Sequence, residues 1–348
     1  MTQDPAQPAE SPSPVEGHAE HTAPPRTERS SRIVVWSRGK AVEADGASEL
    51  RTMLEADDGA RAWIDLVQPS PEELAAIAEV LGLHPLIVED ISGRNQRARL
   101  QQFDGLIHIV LFALEFVGEA AITEVDLVLG ERFLLTAHEP TWDPMSAPML
   151  RRGPVTPLGR GPDYLLYALS DAIIDGYFPV LDHLAEEIDR LQDDVVERAS
   201  SWTLQRIFVL KRELIDLRRV ISPAREVFNQ LTNRDLGIVA RPHIVYFRDI
   251  YDHLIRVTDE LDNYRELVSG TLDVYLSTVN NNLSAIMKRL TGVTVIVAGV
   301  GAVAGIFGMS EAGAAFAGSE AAGFWVVALA TVVLALLAAI VLRRIDWI

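Results

Sequence analysis

The chain has 348 residues, a formal net charge of −18 and no cysteine. That length has room for about two domains. The charge argues against a nucleic-acid partner, which is held by clustered Lys and Arg, and the lack of cysteine excludes disulfides, thiolate metal sites and thiol nucleophiles. An acidic surface raises the local concentration of cations, although it also serves solubility alone.

Residues 1–31 are rich in Pro, Glu, Ser, Ala and His and carry no apolar periodicity, the composition of a disordered tail. They contain no apolar core of a secretory signal, which places the N-terminus in the cytoplasm. His18 and His21 read as solvated.

From Arg32 onward short β-rich runs appear, Ile33 to Trp36 and Ala62 to Val67. Ser70 followed by Pro71-Glu72-Glu73 is a helix start, with cap, N1 proline and acidic first turn; this helix is predicted to run to about Gly82, and His84-Pro85 opens a shorter one through Ile91. Leu106 to Phe116, Thr123 to Gly130 and Arg132 to Glu139 follow as strands between Gly-containing turns. Interleaved helix and strand make residues 32–152 an α/β domain. It shows no phosphate-binding glycine loop, no GxSxG and no HExxH; Pro140 after His138-Glu139 spoils even a partial zinc-protease pattern. No enzymatic activity is expected.

Past a Gly/Pro-rich connector, residues 163–233 read as an antiparallel helical hairpin, Asp163 to Glu197 and Thr203 to Asn233 joined by a polar turn. Asp182, Glu186, Glu187, Asp189, Asp193, Asp194 and Glu197 crowd the first arm, as a solvated face or as a rim that attracts cations. Pro242 is the last proline, so nothing in the backbone interrupts a helix from there to Ser310, on the order of 100 Å at 1.5 Å per residue. Ile250, Leu254, Val257, Leu261, Tyr264, Val268, Leu272, Tyr275, Val279, Leu283, Ile286 and Leu290 recur at gaps of three and four, one apolar stripe. This defines a stalk over residues 242–290.

Residues 291–309 and 324–342 are each about long enough to cross a hydrocarbon core of roughly 30 Å, with residues 310–323 as the loop between them. Lys288 and Arg289 precede the first span and Arg343 and Arg344 follow the second. The positive-inside rule therefore puts the soluble body and the short tail, residues 343–348, in the cytoplasm and the loop outside. Two membrane helices per chain form a pore only by oligomerising. A second, narrow stripe fits that role: Ser277, Asn281, Ser284, Met287, Leu290, Thr294, Ala298, Gly301, Gly305 and Gly308. Gly301 and Gly305 also read as a helix-packing face, but the stripe turns polar below the membrane at Ser284 and Asn281.

These residues are similar to those of the CorA family of magnesium and cobalt transporters along almost all the chain after the tail. The resemblance is carried by WIDLVQPSPEEL and GLHPLIVEDI between Trp63 and Ile91, by YFRDIYDH from Tyr246 to His253, by VSGTLDVYLSTVNNNLSAIMKRLT from Val268 to Thr291, and by GIFGMS at Gly305 to Ser310, where the family has YGMN. It implies a funnel-shaped homopentamer with an α/β cytoplasmic domain, a long-helix stalk and two transmembrane helices in a bacterial-type plasma membrane. The first membrane helix would line the pore through Ser284, Met287, Leu290, Thr294, Ala298, Gly301 and Gly305, with Gly308, Met309 and Ser310 as the selectivity motif. A regulatory cation between neighbouring cytoplasmic domains would be held by Asp90 and Asp249, with Mg2+ or another divalent ion both gating the pore and passing through it. Carboxylate oxygens suit that hard ion. The chain departs from the family at Ser310, in place of Asn, and at Gly299, in place of a membrane proline. The shorter serine hydroxyl would form a wider, weaker ring around hydrated Mg2+, which leaves Mg2+, Co2+, Zn2+ and Ni2+ open as cargo. A membrane-anchored cation sensor or scaffold that keeps the fold without conducting is the alternative.

Overall fold

The computed structural model describes residues 31–94, 96–116, 120–151, 153–234, 236–308, 320–345 and 347. The tail at 1–31 lies outside the described residues but for Ser31, as do Met309, Ser310 and the loop as far as residue 319.

The strands β1 (Arg32–Ser37), β2 (Lys40–Glu43), β3 (Arg61–Val67), β4 (Arg99–Phe103), β5 (Leu106–Phe116), β6 (Ala120–Gly130) and β7 (Phe133–His138) form one sheet in the order β2-β1-β3-β7-β6-β5-β4. Only β3 and β7 run parallel; the other neighbours are antiparallel. Both faces are covered, so the alternation of side chains along each strand feeds two separate cores. On one face α1 (Ala47–Ala56), α2 (Pro71–Leu81) and α3 (Pro85–Gly93) pack Leu50, Leu54, Leu74, Ile77, Ile87 and Ile91 against Ile64, Leu66, Val128 and Leu135. The start of α2 follows its sequence: Ser70 Oγ accepts from Glu73 N at 3.1 Å, and Gly82 ends the helix at φ 65, a left-handed conformation that suits glycine.

The opposite face carries the helical half: α4 (Val155–Arg160), α5 (Pro162–Asp175), α6 (Tyr177–Glu197), α7 (Ser201–Asn233) and the first part of α8 (Ile244–Gly308). The segment read as one helix from Asp163 is two, α5 and α6, broken at Gly176. A Cβ there would lie 3.0 Å from the Leu114 carbonyl of β5, so the glycine lets the helix junction approach the sheet. Among the acids of α6, Glu187 pairs with Arg206 and Glu186 with Arg190, while Asp182, Asp189, Asp193, Asp194 and Glu197 face solvent.

The helix α8 is 65 residues without a break, about 100 Å of rod. Phe247, Ile250, Leu254, Val257, Leu261 and Val268 are fully buried beneath α5, α6 and α7; Tyr264, Leu272 and Tyr275 pack at the edge of that core. Beyond them the same stripe is bare: Leu283, Ile286 and Leu290 are more than half exposed. A final helix, α9 (Glu320–Arg344), starts four residues before the apolar span at 324, and its described side chains include none that is buried. Both α8 and α9 are long and apolar enough to cross a membrane.

The base of α8 is pinned by charge. Asp163 Oδ2 lies 2.7 Å from His243 Nδ1 and accepts from Ala240 N at 2.9 Å, while Oδ1 accepts from Tyr164 N. Arg160 stacks 3.6 Å above the Tyr164 ring and donates to Tyr246 Oη at 3.2 Å, and Tyr246 stacks on Tyr167. Replacing a nearly buried acid that serves three donors strands those donors, at about 1.5 to 3 kcal/mol for hydrogen bonds to a charged group. Asp163→Ala is therefore expected to lower the unfolding free energy of the full chain by that order; an unchanged value would show that the base of α8 does not depend on this pair.

Candidate functional site: two acidic centres and one helical stripe

Asp90 sits in the last turn of α3, above the edge of the sheet. Its Oδ2 accepts from an Arg99 guanidinium nitrogen at 2.5 Å and its Oδ1 from Gln96 Nε2 at 3.4 Å. His108 Nδ1 lies 3.8 Å from the same Oδ2, and His108 Nε2 is 2.8 Å from Asp126 Oδ1. The pleat explains the grouping. His108 on β5 stands opposite Gln101 on β4, and Asp126 on β6 stands opposite Val110, two residues on from His108 and on the same face. This end of the face under α3 is thus polar where the centre is apolar.

Asp249 is exposed on α8, in its second turn. Within one chain no hydrogen bond or ion pair among the described residues joins it to Asp90. Its charge is felt instead at Asp171 of α5, which lies with Asp175 and with His253 of α8 in a group that the sequence reading did not single out. Ligand atoms of Asp171, Asp175 and His253 all lie within 4.8 Å of one another. Each helix contributes a pair four residues apart, Asp171 with Asp175 and Asp249 with His253, the spacing that puts side chains on one face. That spacing was visible; the contact between α5 and α8 that brings the pairs together was not.

The electrostatics show an uncompensated centre. Burial pushes the Asp171 carboxyl up to about 6, Asp175 and then Asp249 push the same way, and His253 opposes them. Burial, with help from Asp171 and Asp249, raises the Tyr167 phenol to about 12. His253 Nδ1 is buried and makes no hydrogen bond among the described residues. Such a centre offers carboxylate oxygens to a hard cation, and an imidazole nitrogen that favours Co2+ or Ni2+ over Mg2+.

The stripe on α8 is open along its length. Ser284, Met287, Leu290, Thr294, Ala298, Gly301 and Gly305 are exposed in the chain, Met287 at 61% and Leu290 at 60%. Thr294 Oγ1 gives its proton to Leu290 O at 2.8 Å, which leaves its lone pairs facing outward. A Cβ at Gly299, Gly301 or Gly305 would meet nothing within 4 Å, so no contact inside the chain requires glycine there. Gly308 ends the helix; Met309 and Ser310 lie outside the described residues.

An α/β domain on a long helix with a second apolar helix beside it is the architecture of a membrane protein with two candidate spans. The sequence profile of the CorA-like Mg2+ transporter proteins matches residues 58–344, and the chain belongs to this family. It is 35% identical over 261 residues to the cobalt/magnesium transport protein CorA of Thermotoga maritima, covering 73% of this chain and 74% of that one. With the Methanocaldococcus jannaschii protein of the same name it shares 26% over 292 residues, 82% of this chain and 91% of that one. The complete structure of the M. jannaschii magnesium transporter superposes with a TM-score of 0.73 at 23% identity over 92% of this chain and all of that one. The full-length CmaX protein gives 0.70 at 19% identity over 91% and 97%. These last two comparisons establish the fold.

The raised pKa of Asp171 has a direct consequence in chelator. Between its ordinary 3.8 and about 6 the folded chain holds a proton that the unfolded chain has released, so stability falls as pH rises through this window. Asp171→Asn is expected to remove that part of the fall and to be more stable than the parent at pH 7, with the two converging near pH 4. Parallel melting curves across pH 4 to 7 would contradict the buried, repelled state of this carboxyl.

Proposed function

We propose that the protein is a divalent-cation channel, a homopentamer in a bacterial-type plasma membrane with both termini cytoplasmic, conducting Mg2+ or Co2+ and gated by cations bound between its cytoplasmic domains. The observation that carries this reading is the divided character of α8. Its first half is buried in the cytoplasmic body, while its second half leaves Leu276, Leu283, Ile286, Met287 and Leu290 exposed before or at the start of the apolar span. Apolar side chains below the membrane do not stay in water on a stable protein; copies of the same stripe, arranged around an axis, cover them. The relatives named as cobalt/magnesium transport proteins support the cargo.

In this assembly Asp249 belongs to the acidic centre with Asp171, Asp175 and His253, and Asp90 of an adjacent copy approaches it. A divalent ion there offsets the cost of burying the Asp171 carboxylate and its repulsion by Asp175 and Asp249, and ties two copies together, which holds the bases of the α8 helices and keeps the pore shut. Loss of the ion restores the repulsion, loosens the ring and opens it. Met287 and Leu290 form the constriction in this reading, Thr294 and Ser284 supply hydroxyls to a hydrated ion, and Gly301 and Gly305 leave width for its water shell. Mg2+ gives up that shell reluctantly. With Ser310 in place of an amide, Co2+, Ni2+ and Zn2+ remain candidates that only a flux panel separates.

Purified protein in liposomes should take up at least one of Mg2+, Co2+, Ni2+ and Zn2+, and should run as a pentamer in detergent. No uptake of any of the four, with uptake restored by Ser310→Asn, would replace the channel with a non-conducting sensor of the same fold. Asp90→Ala combined with Asp249→Ala is expected to keep flux high in millimolar Mg2+, where the parent closes; unaltered closure in this double variant counts against the regulatory site.

A further inference from the structure

The carboxylate of Asp90 is already occupied. Arg99 holds Oδ2 and Gln96 holds Oδ1, and the Arg99–Asp90 pair is part-buried, with side-chain exposures of 31% and 18%. A carboxylate so placed needs a compensating charge, because an unpaired ion out of bulk water is strongly disfavoured. Arg99 is lightly held in return. It lies on β4, an edge strand of the sheet, its guanidinium's one hydrogen bond among the described residues is to Asp90, and its Nε is buried without a hydrogen-bond partner there. A guanidinium fixed at a single end can leave; one locked in a fork could not.

We propose that Arg99 is a tethered competitor for the regulatory cation: it neutralises Asp90 when no divalent ion is bound, gives way when one binds, and so sets the ion concentration at which the channel closes. The inference rests on Asp90 being a regulatory ligand. Its physical basis is charge. A divalent ion on the Asp90 carboxylate and a guanidinium on the same group repel one another, and even with the dielectric constant of water two such charges about 6 Å apart weaken ion binding about tenfold. The pair gives Asp90 a countercharge from within the same chain, so α3 does not depend on a bound ion for charge balance at this position. Gln96, neutral, orients the second oxygen and contributes no such penalty.

The test uses the full-length protein in detergent, with protection from chymotrypsin by added Mg2+ as the readout, and flux from liposomes as a second one. Arg99→Gln is expected to lower the half-protecting and half-closing Mg2+ concentrations by about tenfold. Arg99→Lys, which keeps the charge, should stay near the parent, and the shift should vanish when Arg99→Gln is placed on Asp90→Ala. Where Arg99→Gln does not assemble, Arg99→Met, which retains most of the stem, repeats the measurement. An unchanged or higher midpoint in the neutral variants, with Asp90→Ala plus Asp249→Ala still abolishing protection, overturns the competitor and leaves the regulatory site standing. Protection that survives Asp90→Ala plus Asp249→Ala removes the site itself, and the competitor with it.

Discussion

Everything in this molecule depends on one half of one helix being buried. The residues Phe247, Ile250, Leu254, Val257, Leu261 and Val268 of α8 are fully enclosed by α5, α6 and α7, and a side chain of that kind contributes about 1.5 to 3 kcal/mol when taken out of water. That burial makes the cytoplasmic body and the base of the rod a single object. Among the described residues the other half packs within the chain only against α9, so in the proposed channel a movement of the body would be passed on through a stiff helix. With about 100 Å of rod, a tilt of ~3° at the base displaces the far end by ~5 Å. A small rearrangement near Asp249 is therefore large at the membrane.

The charges are placed where that leverage is greatest. Asp163 and His243 clamp the chain just before α8, and Arg160, Tyr164, Tyr167 and Tyr246 pack around its first turn. One to two turns further on come Asp249 and His253, facing Asp171 and Asp175 across the α5–α8 contact. The first group is paired and fixes the pivot. The second is repulsive and buried enough to raise Asp171. A satisfied Asp163–His243 contact thus lies next to an acidic centre, which the proposed function makes the place where an added cation would change the balance of forces.

The sequence showed the fold where periodicity was long or caps were strong. Helix α2 announces itself through Ser70, Pro71 and Gly82, β5 through eleven nearly unbroken apolar residues, and α8 through its stripe and the absence of proline after Pro242. What escaped was short or decided by tertiary contact. Helix α1 buries only Leu50 and Leu54 and has Gly46 at its N-cap with no side-chain bond; β2 and β4 are edge strands with little buried surface. The WIDL run that helped suggest the family is structural here: Asp65 is buried, bonded to Thr136 and His138 across the parallel β3–β7 pair. Of the acidic centre, Asp249 was reached through resemblance alone. Asp171, Asp175 and His253 were not reached, because i to i+4 spacing on two helices says nothing about whether those faces meet. Arg99 and His108 likewise lie next to Asp90 only through the register of β4, β5 and α3.

The two apolar helices differ in a way that bears on which one faces the axis. Apart from Arg343 and Arg344 at its end, α9 is apolar all round from Phe324 onward, and its Thr331 returns its hydroxyl proton to Val327 O at 2.8 Å. Such a helix has no face that prefers another protein to lipid. By contrast α8 has an inhomogeneous surface, with Thr294, Ala298, Gly301 and Gly305 on one line and Val293, Val295, Val297 and Ile306 around them. Small residues let backbones approach and expose carbonyl dipoles, a property wasted on lipid and useful either between helices or beside a hydrated ion. The stripe also continues downward into Ser284 and Asn281, beyond the reach of any lipid chain. In the proposed pore, a surface that is small within the membrane and polar below it would have one occupant along its whole length, water with its dissolved cation.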